Sequence, residues 1–282
     1  MKELVLSFGD QRLVGVLAVP DSADPQRPVI LMPNTGIEHR VGPNRLHVKL
    51  ARAFAQKGYP TLRLDLSGMG DSPSDVSGDA VRDLQMAMEE LQRRGYGRRF
   101  AAVGLCSGAH DIHRLALADK RLIAVACLDG YAYRTPRFFM TYLQQRLADP
   151  ARMLRFLGKR IAATRAETDF DADNLDYFRQ PDRAQMRRDL ALLMGRGVAL
   201  CYVYTGQMQY IYNYAKQLTD AFPELKRHAA FELHYMAHSD HTFTTAAMSA
   251  DLVRRLLDWL QKSQPLQAPG SAPVIEAAAA TA

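Results

Sequence analysis

A cysteine occupies the centre of the pentapeptide Gly104-Leu105-Cys106-Ser107-Gly108, between a strand-like run and a helical run. Glycines stand two residues before and two residues after it, as a sharp strand-to-helix turn requires, because the chain doubles back on itself there. The positive end of the following helix favours a thiolate. We therefore predict that Cys106 is a nucleophile and that the backbone N–H of Ser107 stabilises an oxyanion. The alternative is a cysteine that only fills a tight turn.

The other two cysteines, Cys127 and Cys201, lie within predicted strands, so we expect them to be core thiols. An odd, sparse set of three cysteines is no disulfide framework and indicates a reducing compartment. The start of the chain lacks the apolar stretch of a signal peptide, and no run of about 18 apolar residues occurs. We expect a cytoplasmic protein with no membrane span.

A thiol nucleophile gains from a base, and His241, in a loop just before the last predicted helix, is our choice. His238 is the second choice, whereas His234 falls within a predicted strand and is expected to be structural. His110 and His113 stand three residues apart on the helix after the turn. With no third ligand in view, we predict no metal site and no cofactor.

Strand-like and helical runs alternate along the chain, which predicts an α/β fold with a mostly parallel central sheet flanked by helices. We expect the core to be formed by 1–130 and 196–262. A helical insertion after the sixth strand, 131–195, is predicted to be a lid over the carboxyl edge of the sheet, and 263–282 a disordered tail. Strands are predicted at 2–7, 11–18, 28–33, 60–66, 99–105, 122–130, 198–206 and 229–236.

Four motifs in order give the chain its resemblance to the α/β-hydrolase superfamily over about residues 10–262. The pentapeptide around Cys106 resembles the family's nucleophile elbow, and "DLSGMGDS" (65–72) resembles the turn after its fourth strand. "NTGIEH" (34–39) stands at the place of the oxyanion loop, and "SDHTF" (239–243) resembles the segment of the catalytic histidine. A cysteine in the elbow resembles a minority of members, namely dienelactone hydrolases, some polyketide and peptide thioesterases, and cysteine-dependent Dieckmann cyclases.

The expected acid is where the sequence departs from this family. The usual acid follows the seventh strand as G-x-x-D, but here that place reads Gly206-Gln207-Met208-Gln209. Asp129, at the end of the sixth strand, is predicted to orient His241 instead, because strand ends at the carboxyl edge point into the site and some members carry their acid there. For the oxyanion, the resemblance implies the backbone N–H groups of Ser107 and Gly36.

Residues near these positions are predicted to contact the substrate: Ile37, Arg40, Tyr131 and Tyr133. Arg40 would hold a substrate carboxylate, although an ordinary surface arginine is an equal alternative. Between Arg134 and Gly197 the chain has 13 Lys/Arg and 8 Asp/Glu, within an overall formal charge of +6. That excess is typical of a solvated helical surface, and it also suits an acidic acyl or peptidyl carrier protein. No motif indicates nucleic-acid binding.

These patterns predict an acyl-transfer enzyme in which Cys106, His241 and Asp129 act on an ester or thioester through an acyl-cysteine intermediate. Water would release the acid, as in a thioesterase or esterase. One alternative is a Dieckmann cyclase or acyltransferase, in which a nucleophile other than water attacks a carrier-bound acyl group. A second alternative is a ligand-binding homologue without catalysis, which the missing G-x-x-D acid favours.

Overall fold

The computed structural model describes residues 1–10, 12–22, 24, 26–147 and 180–263. Buried apolar runs form eight strands of one sheet within these ranges: β1 (Lys2–Phe8), β2 (Leu13–Val19), β3 (Val29–Met32), β4 (Thr61–Leu64), β5 (Phe100–Leu105), β6 (Leu122–Leu128), β7 (Ala199–Thr205) and β8 (Phe231–Met236). The helices are α1 (Leu46–Gln56), α2 (Ala80–Arg93), α3 (Ser107–Ala118), α4 (Pro136–Leu147), α5 (Arg183–Gly195), α6 (Gln217–Ala221) and α7 (Ala246–Lys262).

The strand order is β1-β2-β4-β3-β5-β6-β7-β8. β2 runs antiparallel to β1 and β4, whereas the pairs from β4 through β8 are parallel. The predicted α/β-hydrolase fold with a mostly parallel sheet is therefore confirmed. The parallel arrangement brings the carboxyl ends of β5, β6 and β7 to one edge of the sheet, where ligands bind in such folds.

Helices cover both faces of the sheet, which is why the central strands are apolar without interruption. Alternate residues of β5 show the division: Phe100 packs on the side of α2, α3 and α5, and Ala101 on the side of α1 and α7. The single tryptophan, Trp259 on α7, is fully buried on the second side. The two layers fix the helices against the sheet and so hold its carboxyl edge in place.

The segment predicted to be a lid is described at its two ends, by α4 and α5. On α5, Met186, Leu190 and Leu193 are buried in the core beside α3. A further link joins the same helices, because His113 Nε2 lies 3.1 Å from a carboxylate oxygen of Asp189. The role of 131–195 as a lid stays a prediction.

Several sequence-based expectations fall on other parts of the chain. Residues 148–179 of the basic stretch between Arg134 and Gly197, and the predicted tail from 264 onward, lie outside the described residues. In the ranges that the structure covers, no helix combines the length and the apolar composition needed to cross a membrane.

Candidate active site

Cys106 sits at the tip of the turn between β5 and α3, as the glycine spacing predicts. Its backbone has a φ of 56° and a ψ of −117°, which is uncommon for a residue with a side chain. A Cβ on Gly104 would lie 2.2 Å from the carbonyl oxygen of Gly108, and a Cβ on Gly108 would lie 2.6 Å from the carbonyl oxygen of Asn34. Both contacts are to backbone, so the turn requires both glycines.

Asp129 and His241 meet at this edge of the sheet. His241 Nδ1 lies 2.8 Å from Asp129 Oδ2, although the two residues are 112 positions apart in the chain. The Asp129 carboxylate is fully buried, and Thr205 at the end of β7 donates to it twice. The backbone N–H of Thr205 reaches Oδ1 at 2.7 Å and its hydroxyl reaches Oδ2 at 2.7 Å. Asp129 is thus placed to fix Nδ1–H on the imidazole and leave Nε2 to a partner.

That partner is Cys106, whose side chain interacts with His241 and is one of the groups that set its pKa. Burial alone lowers the pKa of His241, but hydrogen bonds and charge interactions with Asp129 and Cys106 outweigh it and raise the pKa to about 10. An imidazolium beside a thiol favours the thiolate, which is the nucleophilic form of cysteine. The structure therefore supports an imidazolium that is oriented by a buried carboxylate and interacts with Cys106.

Ser107 and Gly36 also lie together, beside Cys106. Ser107 is the first residue of α3, so its backbone N–H has no intrahelical acceptor. Gly36 has a φ of +55°, and its N–H donates to the Ser107 hydroxyl oxygen at 2.7 Å. Asn34 braces this loop, since its amide donates to Asp65 Oδ1 at 2.8 Å and accepts from the N–H of Leu66 at 2.7 Å.

A cavity of about 610 Å³ opens next to these donors, and its wall includes Gly36, Ile37, Ser107 and Tyr131 from the predicted set. Ile37 is 81% exposed at its edge. Tyr131 stacks on His110, with ring centroids 4.0 Å apart. Neither Cys106 nor His241 belongs to the wall. The cavity therefore lies on the Ser107 and Gly36 side of the elbow.

The structure does not bring the other two predicted substrate residues to this cavity. The guanidinium of Arg40 is 12% exposed and pairs with Asp65 and with Asp71. Tyr133 is buried in the core, where its hydroxyl donates to the carbonyl of Pro181 at 2.8 Å. A substrate contact by Arg40 or Tyr133 remains a prediction that these positions do not support.

Three residues near the site were assigned no role in the triad or the oxyanion hole by the sequence analysis. Thr205 holds Asp129, and the side-chain oxygen of Gln207 accepts the backbone N–H of His241 at 2.7 Å. His110 lines the cavity, where burial and the neighbouring charge of His113 lower its pKa to about 4. Thr205 and Gln207 are polar residues at or just after the end of β7, beside the strand end that carries the predicted acid, and this position is a signal by which they could have been found.

One cluster within the described ranges has the spacing of metal ligands, namely His39, Asp65 and Asp71. Arg40 pairs with both carboxylates, so the protein itself supplies their positive partner. His113 contacts Asp189 and is not directed to a shared ligand with His110. His238 is exposed.

Comparison with known proteins identifies the family and the fold of the chain. Residues 39–278 match the model of the alpha/beta hydrolase family. Solved structures of similar fold include the esterase PF2001 of Pyrococcus furiosus, at 13% identity and a TM-score of 0.57 over 93% of this chain and 91% of that one. A proline iminopeptidase of Mycobacterium smegmatis shares 14% identity, with a TM-score of 0.56 over 93% and 99%.

A protein from Agrobacterium tumefaciens described as a putative alpha/beta hydrolase shares 13% identity and a TM-score of 0.56, over 93% of this chain and 95% of that one. These identities are low enough that the likeness concerns the fold alone. Comparison with curated proteins gives no match. Since the family model covers most of the sequence and the fold agrees, the chain belongs to the alpha/beta hydrolase family.

Proposed function

We propose that the protein is a cysteine-dependent hydrolase of esters or thioesters. The observation that supports this most strongly is the 2.8 Å contact of His241 Nδ1 with Asp129 Oδ2, together with the interaction of His241 with Cys106 at the tip of the elbow. Similar folds include an esterase and a peptidase, which is consistent with acyl transfer. The cavity beside Ser107 would receive part of the substrate.

The proposed reaction has two halves. In acylation, His241 takes the proton of the Cys106 thiol, Sγ forms a bond to the carbonyl carbon, and the carbonyl π electrons move to oxygen. When this intermediate collapses, the bond to the leaving group breaks and His241 delivers a proton to the departing oxygen or sulfur. In deacylation, His241 takes a proton from water, the hydroxide attacks the acyl carbon, and the C–S bond breaks to give the free acid. Asp129 steadies the imidazolium throughout.

A thioester carried on an acidic protein is the substrate class we favour within this proposal. Arg134 on the approach to α4 donates to the carbonyl of Tyr210, and Arg137 lies over the ring of Tyr214 at 4.8 Å. Tyr210 and Tyr214 follow β7, whose last residue, Thr205, holds Asp129, so these basic residues lie beside the segment that follows that strand. Cations at this position would attract the phosphate of a carrier's prosthetic arm.

The test compares hydrolysis of a short acyl thioester and its oxygen ester by wild type, Cys106→Ala and Cys201→Ala. Cys201 is buried in β7, on the face of the sheet that α7 covers. Cys201→Ala therefore controls for the removal of a thiol outside the site. We expect Cys106→Ala to lower kcat by about three orders of magnitude or more. Cys201→Ala should retain activity.

The products and the negative results separate the alternatives. A free acid supports hydrolysis. Release of the thiol together with ring closure of a β-ketoacyl substrate would show that the acyl-cysteine undergoes Dieckmann cyclisation instead of hydrolysis. Binding of the thioester without turnover, equal in wild type and Cys106→Ala, would identify a ligand-binding homologue and overturn the proposal.

A further inference from the structure

The hydroxyl of Ser107 occupies an unusual position next to the nucleophile. Its oxygen accepts the N–H of Gly36 at 2.7 Å, the same N–H that the sequence assigns to the oxyanion hole. That N–H is therefore engaged by protein before any substrate arrives. We infer that the Gly36 N–H acts on the substrate through the Ser107 hydroxyl, to which it donates. The Ser107 hydroxyl is then a catalytic group that donates a hydrogen bond to the acyl oxygen. This inference rests on the proposed function.

A hydroxyl has one hydrogen to donate and two lone pairs to accept with. Gly36 uses one lone pair, and among the described residues no carbonyl or carboxylate accepts the Ser107 hydrogen. The hydrogen is therefore available to a ligand. Accepting a bond from Gly36 also polarises the hydroxyl, because linked hydrogen bonds strengthen one another.

Ser107 lies next to the place where the acyl carbonyl group would react with Cys106. Ser107 directly follows Cys106 and begins α3, whose first N–H groups and positive end favour developing negative charge. Both Ser107 and Gly36 line the cavity on that side of the elbow. One residue would thus supply two donors, a backbone N–H and a hydroxyl.

During acylation, the C–S bond to Cys106 forms as the carbonyl π electrons move to oxygen. The resulting oxyanion accepts hydrogen bonds from the backbone N–H and the hydroxyl of Ser107. No proton leaves Ser107, and the bonds weaken when the carbonyl reforms and the leaving group departs. The donors are most useful in the transition state, so their loss should affect kcat more than KM.

The test uses Ser107→Ala, Ser107→Thr and a matched control, Ser249→Ala. Ser249 lies on α7, where its hydroxyl donates to the carbonyl of Thr245 at 2.7 Å, so the control removes a buried serine hydroxyl elsewhere. Each variant is assayed for thioester hydrolysis and for alkylation of Cys106 by iodoacetamide, followed by intact mass. Alkylation consumes the thiolate but forms no oxyanion, and thermal unfolding checks the fold.

We expect Ser107→Ala to lower kcat by about 10²–10³-fold with little change in KM, the usual effect of losing one oxyanion donor. Alkylation should keep its wild-type rate. Ser107→Thr retains the hydroxyl and should restore much of the activity, and Ser249→Ala should resemble wild type in both assays.

Two results would overturn the inference while leaving the proposed function intact. Unchanged or faster turnover in Ser107→Ala would mean that Gly36 donates directly once the hydroxyl is removed. Equal loss of turnover and alkylation would mean that Ser107 only maintains the elbow or the thiolate. By contrast, a wild-type protein that neither hydrolyses thioester nor is alkylated at Cys106 would refute the proposed function and this inference with it.

Discussion

The Asp129 carboxylate, 2.8 Å from His241 Nδ1, is supported by the end of β7, the strand after which the acid usually follows in this family. Thr205 ends β7 and donates its N–H and its hydroxyl to Asp129 at the end of β6. The two strands are parallel neighbours, so a carboxylate on one end can be supported by donors on the other. The missing G-x-x-D therefore does not leave the imidazole without a carboxylate.

The first prediction concerns the pH dependence of kcat/KM. The pKa of His241 is raised from 6.5 to about 10, so the proton that it delivers is retained through neutral pH and lost only as the pH approaches that value. In Asp129→Asn, the carboxylate charge is gone and the pKa of His241 falls. We expect the alkaline limb to move to lower pH by about 1–3 units, measured as kcat/KM against pH.

The control for this shift is Asp240→Asn. Asp240 adjoins His241 in sequence, but its carboxylate accepts from the N–H groups of Thr242 and Thr244 instead of the imidazole. Its substitution should leave the alkaline limb unchanged. An alkaline limb that stays in place in Asp129→Asn would show that Asp129 does not govern the protonation of His241.

At the scale of elements, the site depends on how closely β5 and α3 approach at the elbow. A Cβ added to Gly104 would meet the carbonyl oxygen of Gly108 at 2.2 Å and the N of Ala109 at 2.7 Å. These are backbone atoms of the first turn of α3, so relief requires the helix to move away from the strand. Such a movement would carry Cys106 with it.

We therefore predict that Gly104→Ala lowers the free energy of unfolding by about 3 kcal/mol, as overpacking of a tight core does, and abolishes hydrolysis. Gly195, at the end of α5, is the matched glycine, because a Cβ added there would meet no atom within 4 Å. Gly195→Ala should keep both activity and stability, as measured by denaturant unfolding and thioester turnover. Wild-type activity in Gly104→Ala would contradict the proposed turn geometry.

The elbow could be predicted from sequence because its requirement is local: two small residues around a fixed position, between a strand and a helix. The position of Asp129 could also be predicted, because parallel strands bring their carboxyl ends together. The contact between Gly36 and Ser107 was not, since 71 positions separate them and only the assembled fold shows that the hydroxyl takes up the N–H. The ion pairs of Arg40 likewise depend on where the turn after β4 comes to lie.

At the scale of the whole molecule, one sheet separates two apolar layers. Leu190 on α5 is buried in the layer with α2 and α3, and Trp259 on α7 is buried in the opposite layer. Because the strands contribute alternate residues to both layers, we expect the layers to lose their structure together. The fluorescence of the single tryptophan, Trp259, then also reports unfolding of the layer on the opposite face of the sheet.

This expectation can be tested with Leu190→Ala, which removes a fully buried side chain and should cost about 2–5 kcal/mol. The unfolding midpoint followed by Trp259 fluorescence should fall as far as the midpoint followed by circular dichroism. Leu192→Ala, on the same helix and 51% exposed, should shift neither signal appreciably. A Trp259 transition that keeps its wild-type midpoint in Leu190→Ala would show that the two layers unfold independently.

In the proposed mechanism, the sulfur of Cys106 carries the acyl group between the two half-reactions. This intermediate can be captured by rapid acid quenching of the wild-type enzyme during thioester turnover, followed by peptide mass analysis. We expect one acyl group in place of the thiol hydrogen on the peptide that contains Cys106, and no acyl group in Cys106→Ala. Continued turnover with Cys106 unmodified, and the same turnover in Cys106→Ala, would refute the acyl-cysteine mechanism.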